Sequence, residues 1–233
     1  MRARLPFLRH RRKGPEHYPA GPLRELASAP PPGDMTPVAQ VEFLALDVET
    51  TGLDSRTDHL LSLGWVPVLG SQVVLAQACE LRIRPPGDVD VGSSATLHGL
   101  TDDLLSEAES LPDVLPRLLE AVHGRVLLAH HAPIEVEFLA EATLVTYGAR
   151  APLTTVDTMV LQHRLQADAQ GEVHGSLRLD AARRMFGLPR YSAHHALTDA
   201  IAAGELLLAQ VAELERKLGR EVLLRDLSPK RSG

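Results

Sequence analysis

The chain has 233 residues, of which 44% are hydrophobic and 3% aromatic, with a formal net charge of -6. That length suits one sizeable α/β domain with an extension. The acidic balance argues against a coat for long duplexes, and the scarcity of aromatics argues against a base-stacking platform. The single cysteine, Cys79, excludes an internal disulfide and a Cys-based zinc site, and sets a reducing, cytoplasmic compartment as the expectation. No apolar run reaches membrane-spanning length, so no membrane partner is expected.

In chain order, residues 1–40 read as a basic, proline-rich extension. Arg2, Arg4, Arg9, Arg11, Arg12 and Lys13 open it, without the apolar core of a signal peptide. The Pro30-Pro31-Pro32-Gly33 stretch blocks regular structure, leaving room for one short helix over 23–28. The globular pattern begins at Val41 and is expected to run over 41–218, followed by a tail over 219–233. Strands are predicted at 43–48, 60–68 and 72–83, with Leu69-Gly70-Ser71 as a hairpin turn. A short helix start at 101–105 and an amphipathic helix at 111–122 follow, then a buried strand at 125–129. A helix at 133–147 has Pro at its first turn and Gly148 after its end. A strand at 154–156 leads to Asp157, read as the cap of the next helix. Helices at 176–186 and 195–218 complete the chain. Three early strands and then alternating helices and strands predict an α/β fold, a mixed sheet with helices on both faces.

Four segments carry candidate chemistry. In Phe43-Leu-Ala-Leu-Asp-Val-Glu-Thr-Thr-Gly-Leu-Asp54, an apolar strand ends in Asp47 and Glu49. Residues i and i+2 of a strand share a face. The two anions therefore repel unless a cation lies between them, and a divalent metal is the usual answer. Thr50, Thr51 and Gly52 then turn the chain, and the small glycine lets another backbone come close. In Leu128-Ala-His-His-Ala-Pro-Ile-Glu135, a buried strand runs into a helix whose first turn presents Glu135, either a dipole-favoured acid or a further metal-facing carboxylate. In His194-His-Ala-Leu-Thr-Asp199, a histidine precedes a helix that carries an acid, so a base and a ligand can share one site. Leu97-His98-Gly-Leu-Thr-Asp102 reads as a turn into a helix N-terminus, suited to a phosphate or nucleotide contact.

Together these segments resemble the DEDDh 3′–5′ exonucleases, the family of the proofreading epsilon subunits of bacterial DNA polymerase III. The resemblance spans roughly Val41 to Glu215. Asp47-x-Glu-Thr-Thr-Gly52 and His194 with Asp199 match fully, and His98-Gly-Leu-Thr101 stands for the family's His-Gly-Ile-Thr. The middle motif departs: Ala-His130-His131-Ala replaces Ala-His-Asn-Ala, and Glu135 stands at the position of an Asp. His195 stands where an Asp is frequent. The resemblance implies a ribonuclease H-like three-layer fold with a mixed five-stranded sheet. It also implies two divalent cations, magnesium or manganese. Asp47 would be shared by both ions, Glu49 and Asp199 would complete the first, and Glu135 would hold the second directly or through water. His194 would be the general base. Thr50, Thr51, Leu53, His98 and His130 would meet the substrate: Leu53 as a wedge against the terminal base, the backbone at Thr50 and Thr51 at the terminal 3′-OH. Arg178, Arg183, Arg184 and Arg190 either touch phosphates or form a solvated helix face. The substrate would be a single-stranded DNA or RNA 3′ end, DNA favoured, released as nucleoside 5′-monophosphates; a DNA polymerase complex is the expected assembly. Two other readings compete. One is a catalytically weakened end-binding or polymerase-associated subunit. The other is a zinc enzyme built on His130, His131, His194 and His195, where adjacent histidines point apart and supply one ligand per pair at best.

Overall fold

The computed structural model describes residues 13–87, 102–167, 172–173, 175–192 and 195–227. His98 and His194 lie outside these residues, as do Arg2 to Arg12. Five main strands are present: β1 (Glu42–Thr50), β2 (Leu60–Leu69), β4 (Cys79–Arg84), β6 (Val126–Ala129) and β7 (Thr155–Asp157). They lie in the order β4-β2-β1-β6-β7, with β2 antiparallel to β1 and β4, and β6 parallel to both β1 and β7. Two strands of two residues each, β3 (Gln72–Val73) and β5 (Glu109–Ser110), bring the sheet of described residues to seven where five were expected.

The strand predicted over 72–83 is broken. β3 pairs with Val68 and Leu69, the chain leaves through a 3-10 turn at Leu75–Gln77, and β4 pairs with Ser62 to Trp65. Pro67 explains the gap. Its carbonyl accepts from the Val74 amide at 2.9 Å, so its nitrogen faces the same edge and has no hydrogen to continue the ladder.

β1 divides the core. Leu44, Leu46 and Val48 face α3 (Leu111–Val122) and α4 (Pro133–Tyr147). Phe43 and Ala45 face α5 (Thr158–Gln166) and α7 (Ala196–Leu218). The alternation carries Asp47 and Glu49 onto the α7 face, at the carboxyl end of the strand, where open α/β sheets bind ligands. The remaining helices are α1 (Pro22–Ser28), α2 (Asp102–Ser106), α6 (Leu179–Met185) and α8 (Leu224–Leu227). α6 starts later than the 176 expected, because the Leu177 carbonyl accepts from His130 at 2.8 Å instead of from a helical amide.

Packing runs past the expected domain boundaries at 40 and 218. Leu23 and Leu26 of α1 join the core against α3, and Val222, Leu224 and Leu227 join the opposite core. The two flanks also hold each other: Val38 N donates to Val222 O at 2.9 Å and Leu224 N to Thr36 O at 2.9 Å.

Candidate metal centre

Three carboxylates meet at the end of β1. Ligand oxygens of Asp47, Glu49 and Asp199 all lie within 4.8 Å of one another. Asp47 and Glu49 arrive together because they are two apart on one strand. Asp199 arrives from the first turn of α7, where a negative charge is favoured by the helix dipole. The approach of α7 depends on Gly64, which sits opposite Asp47 on β2. A Cβ on Gly64 would stand 2.0 Å from the Leu197 backbone nitrogen. The first turn of α7 therefore rests directly on strand backbone. A glycine inside an apolar strand is the sequence signal for such a contact, and it was missed at the sequence level.

Glu135 is the fourth acid. It is buried at the start of α4, and its Oε2 has no hydrogen-bond partner among the described residues. Burial raises its carboxyl to about 8, with the Asp157 charge adding to the rise. Burial also raises Asp47 well above the ordinary carboxylate range, followed by the charges of Glu135, Asp199 and Glu49. Glu49 is pushed up to about 7 by burial, then by Asp199 and Glu80. Three carboxylates held this close, with the Glu135 charge acting on Asp47, favour protons without a cation, and a divalent ion removes the same repulsion while supplying a partner for the orphaned Glu135 oxygen. The donor set is all oxygen, which suits a hard cation such as magnesium or manganese. The residues present therefore fit a divalent metal.

The turn after β1 is fixed by its own polar groups. Thr50 Oγ1 donates to Gly52 O at 2.6 Å. Thr51 N donates to His59 O at 3.0 Å, its hydroxyl donates to Asp58 at 3.3 Å, and it accepts from the His59 amide at 2.9 Å. A Cβ on Gly52 would strike the Asp58 carboxylate at 2.4 Å. Held this way, the turn presents Leu53 to solvent, 77% exposed.

His130 faces inward. Nδ1 lies 2.8 Å from Thr158 Oγ1 and Nε2 lies 2.8 Å from Leu177 O. Burial lowers its pKa, so the neutral ring donates from Nε2 to the Leu177 carbonyl, and Nδ1 and the Ala129 carbonyl, 3.2 Å away, share the Thr158 hydroxyl proton. This leaves no ring nitrogen of His130 for zinc, and the acidic cluster found among the described residues contains no histidine. Asp157 is a cap, as its sequence context suggests, but for two helices. Its carboxylate accepts from Met159 N at 2.8 Å and Val160 N at 3.4 Å for α5, and from His131 N at 3.0 Å and Ala132 N at 3.1 Å ahead of α4.

His131 has φ 79°, the left-handed region. A non-glycine residue there costs on the order of 1–3 kcal/mol, and asparagine adopts it more readily than most. His131→Asn, which keeps the amide bonded to Asp157, is expected to raise the Tm by roughly 2 °C, equivalent to about 0.5–1 kcal/mol. An unchanged or lower Tm in a thermal melt contradicts that account.

Of the four arginines considered at the sequence level, Arg183 is buried. It donates to Ala202 O at 2.7 Å, Pro189 O at 2.9 Å and Glu205 at 2.7 Å, and lies 4.6 Å over the Tyr191 ring. Tyr191 donates to the same Glu205 carboxylate at 2.9 Å. This cluster ties α6 and the 188–191 segment to α7, a role no sequence motif marks.

Residues 44–207 match the exonuclease family RNase_T. The DNA polymerase III subunit epsilon of Treponema pallidum is 31% identical over 186 residues, covering 77% of this chain and 80% of that protein. The DNA polymerase III PolC-type protein of Caldanaerobacter subterraneus subsp. tengcongensis is 28% identical over 175 residues, covering 75% of this chain and 12% of that protein. The DNA polymerase III subunit epsilon-like protein of Rhodobacter capsulatus is 28% identical over 185 residues, covering 78% of this chain and 25% of that protein. The chain thus spans a quarter or less of the length of the latter two. Among solved structures, E. coli exonuclease I in complex with a dT13 oligonucleotide matches with a TM-score of 0.63 at 16% identity, covering 77% of this chain and 43% of that one. That likeness carries the fold, the ribonuclease H-like mixed sheet between helices. The motif at β1, the acid on α7 and the match across 44–207 agree: the chain belongs to the exonuclease family.

Proposed function

We propose that the chain is a metal-dependent 3′–5′ exonuclease that removes nucleoside 5′-monophosphates from single-stranded 3′ ends. The observation that carries this reading is the convergence of Asp47, Glu49 and Asp199 within 4.8 Å, with the orphaned Glu135 beside Asp47. Asp47, central to the repulsion, would be shared by two ions; Glu49 and Asp199 would complete one, and Glu135 would hold the other directly or through water. When bound, such ions neutralise the scissile phosphate and acidify the attacking water. His194, ordinarily neutral near pH 7, takes the proton from that water. Leu53, held out by the braced Thr50–Thr51 turn, meets the apolar face of the terminal base. His130 steadies Leu177, and His98 contacts the terminal nucleotide.

DNA is favoured because the similar proteins are DNA polymerase III components and the matched exonuclease I holds dT13. The same likeness supports a polymerase complex as partner. The test follows mononucleotide release from 3′-labelled DNA and RNA strands of equal sequence, in magnesium or manganese. Asp47→Ala is expected to lower kcat by at least about 10³-fold, more than loss of a single transition-state donor. Equal turnover by this variant, or none by the unaltered chain, removes the proposal; end binding without turnover would favour the weakened-subunit reading.

A further inference from the structure

A cleft of about 610 Å³ opens between α6 and the start of α7, lined by Arg178, Arg183, Arg184, Arg190, Tyr191 and Asp199 among others. Its lining includes the metal-site carboxylate Asp199. Its floor is Arg183, whose guanidinium is spent on two carbonyls and Glu205. Arg184 is paired with Asp180 at 2.6 Å. That leaves Arg178 and Arg190, both exposed, whose guanidinium groups make no hydrogen bond to a described residue, although the Arg178 charge also acts on Asp180 in the cleft wall. The cleft thus holds two exposed guanidinium groups with no hydrogen-bonded carboxylate among the described residues, in a chain whose net charge is -6. Isolated arginines on a surface are usually solvated, but these two line one concavity that leads into a cluster of acids. A neutral or anionic small ligand would have no reason to span both ends. A chain with regularly spaced phosphates would, with one phosphate at the carboxylates and its cations and the next ones along the arginines.

We propose that this cleft carries the sugar-phosphate backbone of the substrate strand on the 5′ side of the scissile bond, with Arg178 and Arg190 each on one phosphate. This rests on the exonuclease reading for the strand's polarity, but its main readout requires no turnover. Binding of a fluorescent 12-mer with phosphorothioate links, which resists cleavage, is measured by anisotropy in magnesium at several salt concentrations. Each lost phosphate contact flattens the log–log salt slope by about 0.7 for a single strand, so Arg178→Ala with Arg190→Ala should flatten it by about 1.4. The same arithmetic gives an affinity about 25-fold weaker at 0.1 M salt. The double Lys variant should retain most of the slope, because the charge is kept. With ordinary links, the preference for a 12-mer over a dinucleotide, read as the ratio of kcat/KM values, should fall by a similar factor, since a dinucleotide has no phosphate beyond the scissile one. An unchanged slope and affinity overturn the proposal, as does an Ala variant whose 12-mer preference stays intact. Weakened binding in a chain that never cleaves would instead support the cleft and sink the exonuclease reading.

Discussion

Gly64→Ala is expected to abolish the magnesium-dependent activity, with kcat down by about 10²-fold or more. A Cβ at this position lies 2.0 Å from Leu197 N, 2.2 Å from the Ala196 carbonyl carbon and 2.4 Å from Leu197 Cα. All three are backbone atoms, so no side-chain rotation relieves the clash. The first turn of α7 must lift by more than an ångström to reach ordinary contact. Asp199 sits in that turn, and a displacement of about 1 Å at a reacting geometry costs on the order of 10²-fold in rate. Overpacking of this kind also costs roughly 1–3 kcal/mol of stability. Circular dichroism and a thermal melt separate the two effects. The folded variant should lose the rise in Tm that magnesium gives the unaltered chain. Gly204→Ala is the control, since the nearest atoms to a Cβ there all belong to side chains: the Val68 Cγ2 at 3.0 Å, the Val73 Cγ2 at 3.4 Å and the Ala45 Cβ at 3.7 Å. If Gly64→Ala retains kcat within about threefold, the rest of α7 on bare strand backbone is not what positions Asp199.

The comparison between these glycines shows what a sequence reveals. Asp47 and Glu49 were legible because strand periodicity fixes both their face and their separation, and β1 obeys it from Phe43 to Glu49. Asp157 was legible as a cap for α5, but its second service, to the amides before α4, depends on β6 and β7 lying side by side. Gly64 and Arg183 were not legible for the same reason. Each acts on a partner far along the chain, Leu197 and Glu205, and nothing local distinguishes Arg183 from the exposed Arg184 next to it. The break between β3 and β4 had its signal in Pro67, on the opposite strand from the residues it interrupts. The flanks were misjudged by composition: proline suppresses helices over residues 29–37, yet Leu23, Leu26, Leu224 and Leu227 still find apolar surface.

The acid cluster makes a further prediction, in which pH and metal oppose each other. Without a cation, folded Glu135 and Glu49 hold their protons up to about pH 8 and about pH 7. Unfolded, both would release them near the ordinary glutamate value of 4.5. Between these limits the folded chain binds more protons than the unfolded one, so stability falls as pH rises. The contribution is fully present below about 4.5 and is lost as pH climbs through about 7 to 8. In EDTA the Tm is therefore expected to be lower at pH 8 than at pH 5.5 by about 5 °C, from a loss on the order of 2 kcal/mol. Magnesium binds the deprotonated acids and competes with the protons, so its stabilising effect runs the other way. At about a hundred times its Kd it adds roughly 2.7 kcal/mol, and the resulting rise in Tm should be largest at pH 8 and shrink toward pH 5.5. Asp47→Asn removes the charge at the centre of the repulsion. It should raise the EDTA Tm at pH 8 while losing both the magnesium response and turnover, a variant more stable because it no longer holds the site's charge. A Tm in EDTA that rises with pH, or a magnesium shift equal at both pH values, would mean that the four carboxylates do not titrate against a shared cation.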